Sequence, residues 1–454
     1  MSQNSQHFDV LIVGGGLAGS SMAAALCQLP LSIAIVEATD QPLDQSPSFD
    51  DRALALSYGS LQILRTMGVL DEPLGSTQQT IKLSGQPSAQ HSIQQTTIDK
   101  IHVSDRGHSG FLRMHHDDVG LDCLGAVVAA KDLGATIANF IGQTAEHAAD
   151  ITTFKSAIVE SIQHLSGCAS VQVFDAVTQS HKTTVTAKLI ILADGGRSPL
   201  NQKLGIATQK KDYQQVGILA NLQSSAVHRN TAYERFTQNG PIALLPLRDK
   251  DYKLVWTVPP EEKERILELS DDEFLKAIQR EFGDRAGEFE HVGKRISYPM
   301  AESKTMQMTM GRVALVGNSA HTLHPIAGQG FNLGLRDVAC LAELVADAIA
   351  AGEDIADSRL LVRYVTERQT DIARTAKFTD SLVRIFSNGI LPLAVIRNAS
   401  LFIIDRSPVL KREIMHRMMG LAGKRGKLLQ GVPLVGEMPA NAMKAKVENP
   451  STSP

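Results

Sequence analysis

The chain has 454 residues, of which 43% are apolar, 20% charged and 5% aromatic, and its formal net charge is −3. That is enough apolar material for two or three domains, and the balance of charge excludes the basic excess that marks a nucleic-acid binder. The four cysteines (Cys27, Cys123, Cys168 and Cys340) include no Cys-x-x-Cys pair, which argues against a zinc site or a disulfide framework and for a reducing compartment.

The first ten residues, "MSQNSQHFDV", lack a basic region followed by an apolar one, and no stretch reaches the ~18 uninterrupted apolar residues of a membrane span. A cytoplasmic protein is expected. Residues 8–13, "FDVLIV", form a β-branched run, followed by "GGGLAGS" and a segment of helical character. Gly14, Gly16 and Gly19 fill the G-x-G-x-x-G pattern of a strand, turn and helix that cradle a dinucleotide, with Ala18 among them as a further binding position. The first glycine permits the turn, the second admits a pyrophosphate to the backbone, and the third lets helix pack on strand. A second apolar strand, "SIAIVE", ends in Glu37, placed to accept hydrogen bonds from ribose hydroxyls. The pattern leaves NAD and FAD equally open.

Residues 75–105 are rich in Gln, Ser and Thr, and their alternation predicts β hairpins with loops. His115, His116, Asp117 and Asp118 look like a metal cluster, but nothing with ligand spacing completes the set, so a solvated turn and no metal site are expected. A further buried-strand pattern at 188–206 ends in Asp194 and Gly195. Residues 213–300 hold the alternating runs "AYERFTQ", "IALLPL" and "YKLVWTV", which predict a mainly antiparallel sheet whose apolar face would roof a dry pocket. Phe236, Trp256 and Tyr298 are candidates for its walls, with core packing the alternative for each.

The third strand-to-glycine junction is "GRVALVGNSAHTLHPIAGQGFNLGLRD" at 311–337. Three such junctions spread from residue 14 to residue 330 imply a nucleotide domain assembled from separated pieces, unlike the contiguous half of a simple Rossmann dehydrogenase. Residues 335–430 are helical by periodicity and mix apolar runs with basic residues. They fit a helical subdomain, or an apolar and basic surface that meets a membrane, a lipid carrier or a partner. The tail, 435–454, is poor in large apolar residues and is expected to be disordered.

With these motifs in order, the chain resembles the flavin-dependent aromatic hydroxylases of the p-hydroxybenzoate hydroxylase fold, and within them the ubiquinone-biosynthesis branch. The stretches that carry the resemblance are 48–57, 101–111, 233–247, 293–300 and 324–337, within a likeness running from residue 8 to about 405. It implies an α/β fold with an FAD-binding Rossmann-like domain built from discontinuous segments, a β-sheet substrate domain and a C-terminal helical region. The expected division is FAD-binding at 1–75, 111–205 and 301–350, substrate domain at 76–110 and 206–300, helical region at 351–434, and tail at 435–454.

The resemblance also implies FAD as cofactor, NAD(P)H as a transient reductant, and O2 used through a flavin C4a-hydroperoxide to hydroxylate the ring of 2-polyprenyl-6-methoxyphenol. Other ubiquinone-biosynthesis proteins, a lipid carrier and a peripheral contact with the inner membrane are the implied partners. Gly328, Gln329 and Gly330 would offer backbone N–H groups to the negative charge that develops on the flavin ring, and Pro325 would stiffen the approach. Gly317, Asn318 and Asn332 complete the expected cofactor contacts. Arg52 matches the family's arginine beside the flavin, a salt bridge with Asp50 or Asp51 being the alternative. No acid or base is assigned to the protein, since the cofactor carries the chemistry. His321 and His324 fit either a catalytic role or loop-stabilising hydrogen bonds.

Three positions depart from the pattern. Asn318 stands where relatives have Asp, Asn201 where many have Arg, and Ala129 where the branch has Glu. An uncharged amide at 318 predicts weaker hold on FAD. Two rival readings follow: a flavin-binding subunit without turnover in a quinone-biosynthesis complex, and a hydroxylase of another ring position or another prenylated phenol.

Overall fold

The computed structural model describes residues 6–39, 53–70, 80–81, 93–145, 149–323, 328–386, 391–423 and 425–435. Strand β1 (Gln6–Val13) lies between β2 (Ser32–Val36) and the strand His181–Leu192, parallel to both, with Val10 opposite Ile33 on one side and Leu189 on the other. Asp150–Phe154 continues the parallel order beyond β2, and Val313–Leu315 lies parallel to His181–Leu192. The apolar runs that read as buried strands are therefore neighbours in one sheet. They are continuous and not alternating because both faces are covered, as parallel sheets require, and Val10, Leu11 and Ile12 are wholly buried. Helix α1 (Leu17–Leu26) covers β1.

A second sheet of nine strands is antiparallel except where Thr231–Thr237 lies parallel to Lys100–Asp105. The runs at 231–237, 240–246 and 251–258 are consecutive in it. The expected division at 110/111 falls between Lys100–Asp105 and Phe111–His115, which pair with each other in this sheet. The division at 300/301 falls inside one strand, Ile296–Thr305, which pairs along its length with Thr208–Ser224. Alternation marks a strand but not the sheet it joins, so these cuts were not legible. A third, four-stranded sheet links Ala53–Ser57 and Ile93–Ile98 to Gly125–Ala129. The helices Gln329–Ala351, Ser358–Phe386, Leu391–Arg406 and Pro408–Met418 follow. Among the described residues no helix is long and apolar enough to cross a membrane. From residue 436 on, the expected tail lies outside the described residues.

One buried carboxylate ties the pieces together. Asp337, fully buried on the Gln329–Ala351 helix, accepts from Gly317 N (3.0 Å), lies 2.6 Å from His321 Nε2 and accepts from Arg368 Nε (2.7 Å) on the next helix. Arg368 also reaches Asp371 (2.7 Å). Burial alone would raise the Asp337 carboxyl, but the charges of His321 and Arg368 and their hydrogen bonds hold it below the usual range. The stabilisation from this cluster is thus fully present above an unfolded carboxyl's ~3.9 and is lost as pH falls through the depressed value. Asp337→Asn removes the buried carboxylate that Arg368 Nε pairs with, leaving only Asp371, and should lower the unfolding free energy by about 3–5 kcal/mol, read as an earlier urea midpoint. A loss below about 1 kcal/mol would show the cluster to be incidental.

Candidate functional site

The turn after β1 is shaped by backbone contacts that only glycine tolerates. Gly14 has φ +98°, and a Cβ there would sit 2.8 Å from Ala193 O and from the Asp194 Cα; a Cβ on Gly19 would lie 1.9 Å from Gly14 O. Helix α1 begins after Gly16, with no side-chain cap and no acid in its first turn. Its orphan N–H groups and the positive end of its dipole point outward, an arrangement that binds anions. Glu37 closes β2 beside it, its carboxylate accepting from Gly15 N at 2.5 Å and from the Thr39 backbone and hydroxyl at 3.1 Å.

The second junction is clipped to the third. Asp194 accepts from Gly196 N (3.0 Å), Ser198 N (3.2 Å) and Ser319 Oγ (2.6 Å), while Ser319 Oγ accepts from Gly195 N (3.0 Å). Asn201 donates from its amide to Ser319 O at 3.0 Å, so the residue standing in place of the family's arginine braces the loop next to Asn318. Ser319 was not legible as a site residue: a serine beside a glycine motif carries no signal of the loop it will hold.

The third junction starts the Gln329–Ala351 helix. Gly328 is its N-cap in the left-handed region (φ +60°), again without a side-chain cap and with no acid in the first turn. Gly317, also left-handed, packs against Ala18, and its Cα is 3.1 Å from where a Cβ on Gly334 would lie. These small residues let α1 and the long helix approach closely. Asn332, counted among the cofactor contacts from sequence, turns its side chain elsewhere: its amide donates to Ala55 O (2.8 Å) and Gly328 O (2.7 Å), and its oxygen accepts from Ser57 N (2.9 Å). It fixes the helix start against the strand Ala53–Ser57. The Gln329 side chain likewise donates to Met418 O at 3.1 Å. Arg52, Pro325 and His324 lie outside the described residues.

The three junctions open onto one cavity of about 1460 Å³. Gly14, Gly16, Ala18, Glu37, Asp194, Gly195, Gly317, Asn318, Gly328 and Gly330 line it; Gly19, Gln329 and Asn332 do not. A Cβ on Gly330 would meet nothing within 4 Å, so that helix start faces open space. The far wall is the apolar face of the second sheet, including Phe236 and Tyr298, whereas Trp256 packs edge-on to Phe274 in a separate core. Single-ligand pockets run to ~1,000 Å³, so this cavity can hold an extended cofactor and a second molecule together. Two uncapped helix starts at one end and an apolar roof at the other fit FAD: the first suits its pyrophosphate, the second its ring.

His321 is buried against Asp337 and does not line the cavity, which makes it a loop-stabilising residue. His115, His116 and Asp117 bring potential ligand atoms within 4.8 Å of one another. They belong to the 3-10 turn His116–Val119, which His115 caps with Asp118 Oδ2 accepting from His115 N at 2.9 Å.

Residues 7–379 match the family described as FAD binding domain. The chain is 32% identical over 429 residues to the ubiquinone hydroxylase UbiL of Rhodospirillum rubrum, covering 94% of this chain and 93% of that one. It is 26% identical over 423 residues to the ubiquinone hydroxylase UbiM of Neisseria meningitidis, covering 92% and 85%. The p-nitrophenol 4-monooxygenase PnpA of Pseudomonas putida has the same fold, with a TM-score of 0.72 at 17% identity over 92% of this chain and 100% of that one.

Asn318 is exposed to the cavity and carries no charge. A hydrogen bond to a charged group is stronger than a neutral one by about 1 kcal/mol, so Asn318→Asp should tighten FAD binding roughly fivefold. Fluorescence titration of the apoprotein checks it; unchanged or weaker binding would remove Asn318 from the cofactor contacts.

Proposed function

Since the chain belongs to the FAD-binding-domain family of FAD-dependent monooxygenases, we propose that it hydroxylates the aromatic ring of a prenylated phenol in ubiquinone biosynthesis, with 2-polyprenyl-6-methoxyphenol as the substrate, using NAD(P)H and O2. The observation that carries this reading is the single cavity running from two helix starts to an apolar sheet face. The UbiL and UbiM names support the substrate class. When bound, FAD supplies the redox chemistry that activates O2 with electrons from the nicotinamide. The protein's part is to bind, orient and exclude water. Residues 14–19 and Glu37 hold the adenosine and pyrophosphate end, and Asp194 and Ser319 keep the loops in register. Gly328 and Gly330 let the backbone lie against the ring, where N–H groups stabilise negative charge. Leu219, Ala243, Val255 and Phe236 keep the reacting face dry.

A second surface supports contact with a lipid bilayer, where a prenylated substrate resides. Phe402, Ile403, Val409 and Leu410 are exposed large apolar side chains on the last two helices. Arg406 lies over the Phe402 ring at 4.8 Å, with Lys411 and Arg412 nearby in sequence. Exposed apolar anchors with a basic residue among them suit an anionic membrane face. The protein should co-sediment with anionic liposomes and less so as Phe402→Ser/Ile403→Ser; recovery wholly in the supernatant would remove the membrane contact.

The hydroxylase reading is tested by reducing the FAD-reconstituted protein anaerobically with NAD(P)H, with and without a short-chain 2-prenyl-6-methoxyphenol. Substrate-accelerated bleaching, then hydroxylated product on admitting oxygen, is expected. Stable FAD binding with no substrate-stimulated NAD(P)H consumption would favour a flavin-binding subunit without turnover.

A further inference from the structure

Glu234 stands out on the cavity-facing side of the second sheet. It is in register with Val103 on one neighbouring strand and Ala243 on the other; Ala243 pairs with Val255, and Val255 with Leu219. All five line the cavity, so one carboxyl interrupts an otherwise apolar row. Its carboxyl makes no hydrogen bond or ion pair with another described residue. Lys253, the nearby cation lining the same cavity, donates to Asn221 Oδ1 at 3.1 Å. Glu234 is half-buried and lines the cavity, and burial pushes its carboxyl up to about 7. A lone carboxyl facing a pocket among apolar neighbours costs stability unless something enters to pair with it.

We propose that Glu234 is a catalytic residue that accepts the hydrogen of the substrate's phenolic hydroxyl. This rests on the reading of the protein as a phenol hydroxylase and names the group that recognises the phenol. Its raised carboxyl lies nearer to the ~10 of a phenol than an ordinary glutamate does, which favours a shared proton. The phenol O–H bond breaks as the carboxyl O–H forms, and the electron pair left on the phenol oxygen delocalises to the ortho and para carbons. A ring so enriched is the better nucleophile toward the oxygen atom derived from O2. The ring carbon that gains oxygen gives up its own hydrogen as a proton, which ends on the new hydroxyl oxygen, and Glu234 returns its proton to the phenolate oxygen. The glutamate is unchanged overall. NAD(P)H and one proton reduce the second oxygen atom to water.

The test uses the FAD-reconstituted full chain and E234Q, with a short-chain 2-prenyl-6-methoxyphenol and its O-methyl ether as probes of flavin absorbance. The wild type should prefer the phenol. E234Q should bind the phenol roughly 10- to 100-fold more weakly and the ether unchanged. Single-turnover hydroxylation should slow by ~10²–10⁴. The ether controls for folding, since a general defect weakens both. Glu234→Asp, which keeps the acid one methylene further back, should retain part of the phenol preference. Equal losses for both probes, or none for either, would overturn the assignment. A wild type that binds neither probe would instead sink the substrate reading, a different failure from that of Glu234.

Discussion

The site depends on a carboxylate that never touches it. Asp337 sits about two helical turns below the start of the Gln329–Ala351 helix and gathers three segments: the loop after the strand Val313–Leu315 through Gly317 N, the strand His321–Thr322 through His321, and the helix Ser358–Phe386 through Arg368. Two charges removed from water are an expensive way to gain stability, and an apolar cluster would serve as well. What the charges add is direction. Hydrogen bonds from a backbone N–H, an imidazole and a guanidinium converge on two oxygens only in one arrangement, and that arrangement sets where the Asn318 loop and the Gly328 helix start face.

A similar economy governs the other two junctions. Ser319 donates to Asp194 across 125 residues of sequence, and Asn332 joins its helix to a strand 277 residues earlier. A domain built of distant pieces has no short connection to hold the pieces in register, so side chains do it. The motif residues divide accordingly into those that face the cavity and those that position them.

That division explains what could be read from the sequence. Gly14 and Gly19 were legible because close backbone approach excludes a side chain, and Gly317 and Gly328 because their left-handed backbone favours glycine, leaving glycine as a local signature. The parallel strands were legible because burial on both faces removes polar residues from them. Asn332 and Asp337 lie in the same quoted stretch as Gly328, yet nothing local distinguishes an amide that meets a ligand from one that meets a backbone carbonyl 277 residues away. Glu234 was illegible for the opposite reason: strand alternation predicts a polar side chain on one face, and only the sheet's placement over the cavity shows that this face is the enclosed one. The strand pairs across 110/111 and within 296–305 were lost to the same ambiguity of partner.

The strand Phe111–His115 lies at the end of the second sheet, pairing on one side with Lys100–Asp105. Its outer backbone is met by the side chains of a helix: Asn398 Oδ1 accepts from Gly110 N at 2.6 Å and Asp405 Oδ1 from Arg113 N at 2.8 Å. A row of bare N–H groups would recruit a strand from another molecule. Here two side-chain oxygens, spaced two helical turns apart on Leu391–Arg406, occupy the donors that an incoming strand would need. The helix thereby acts as a stopper against edge-to-edge polymerisation, and the C-terminal region carries a duty in solution behaviour that is independent of any chemistry in the cavity.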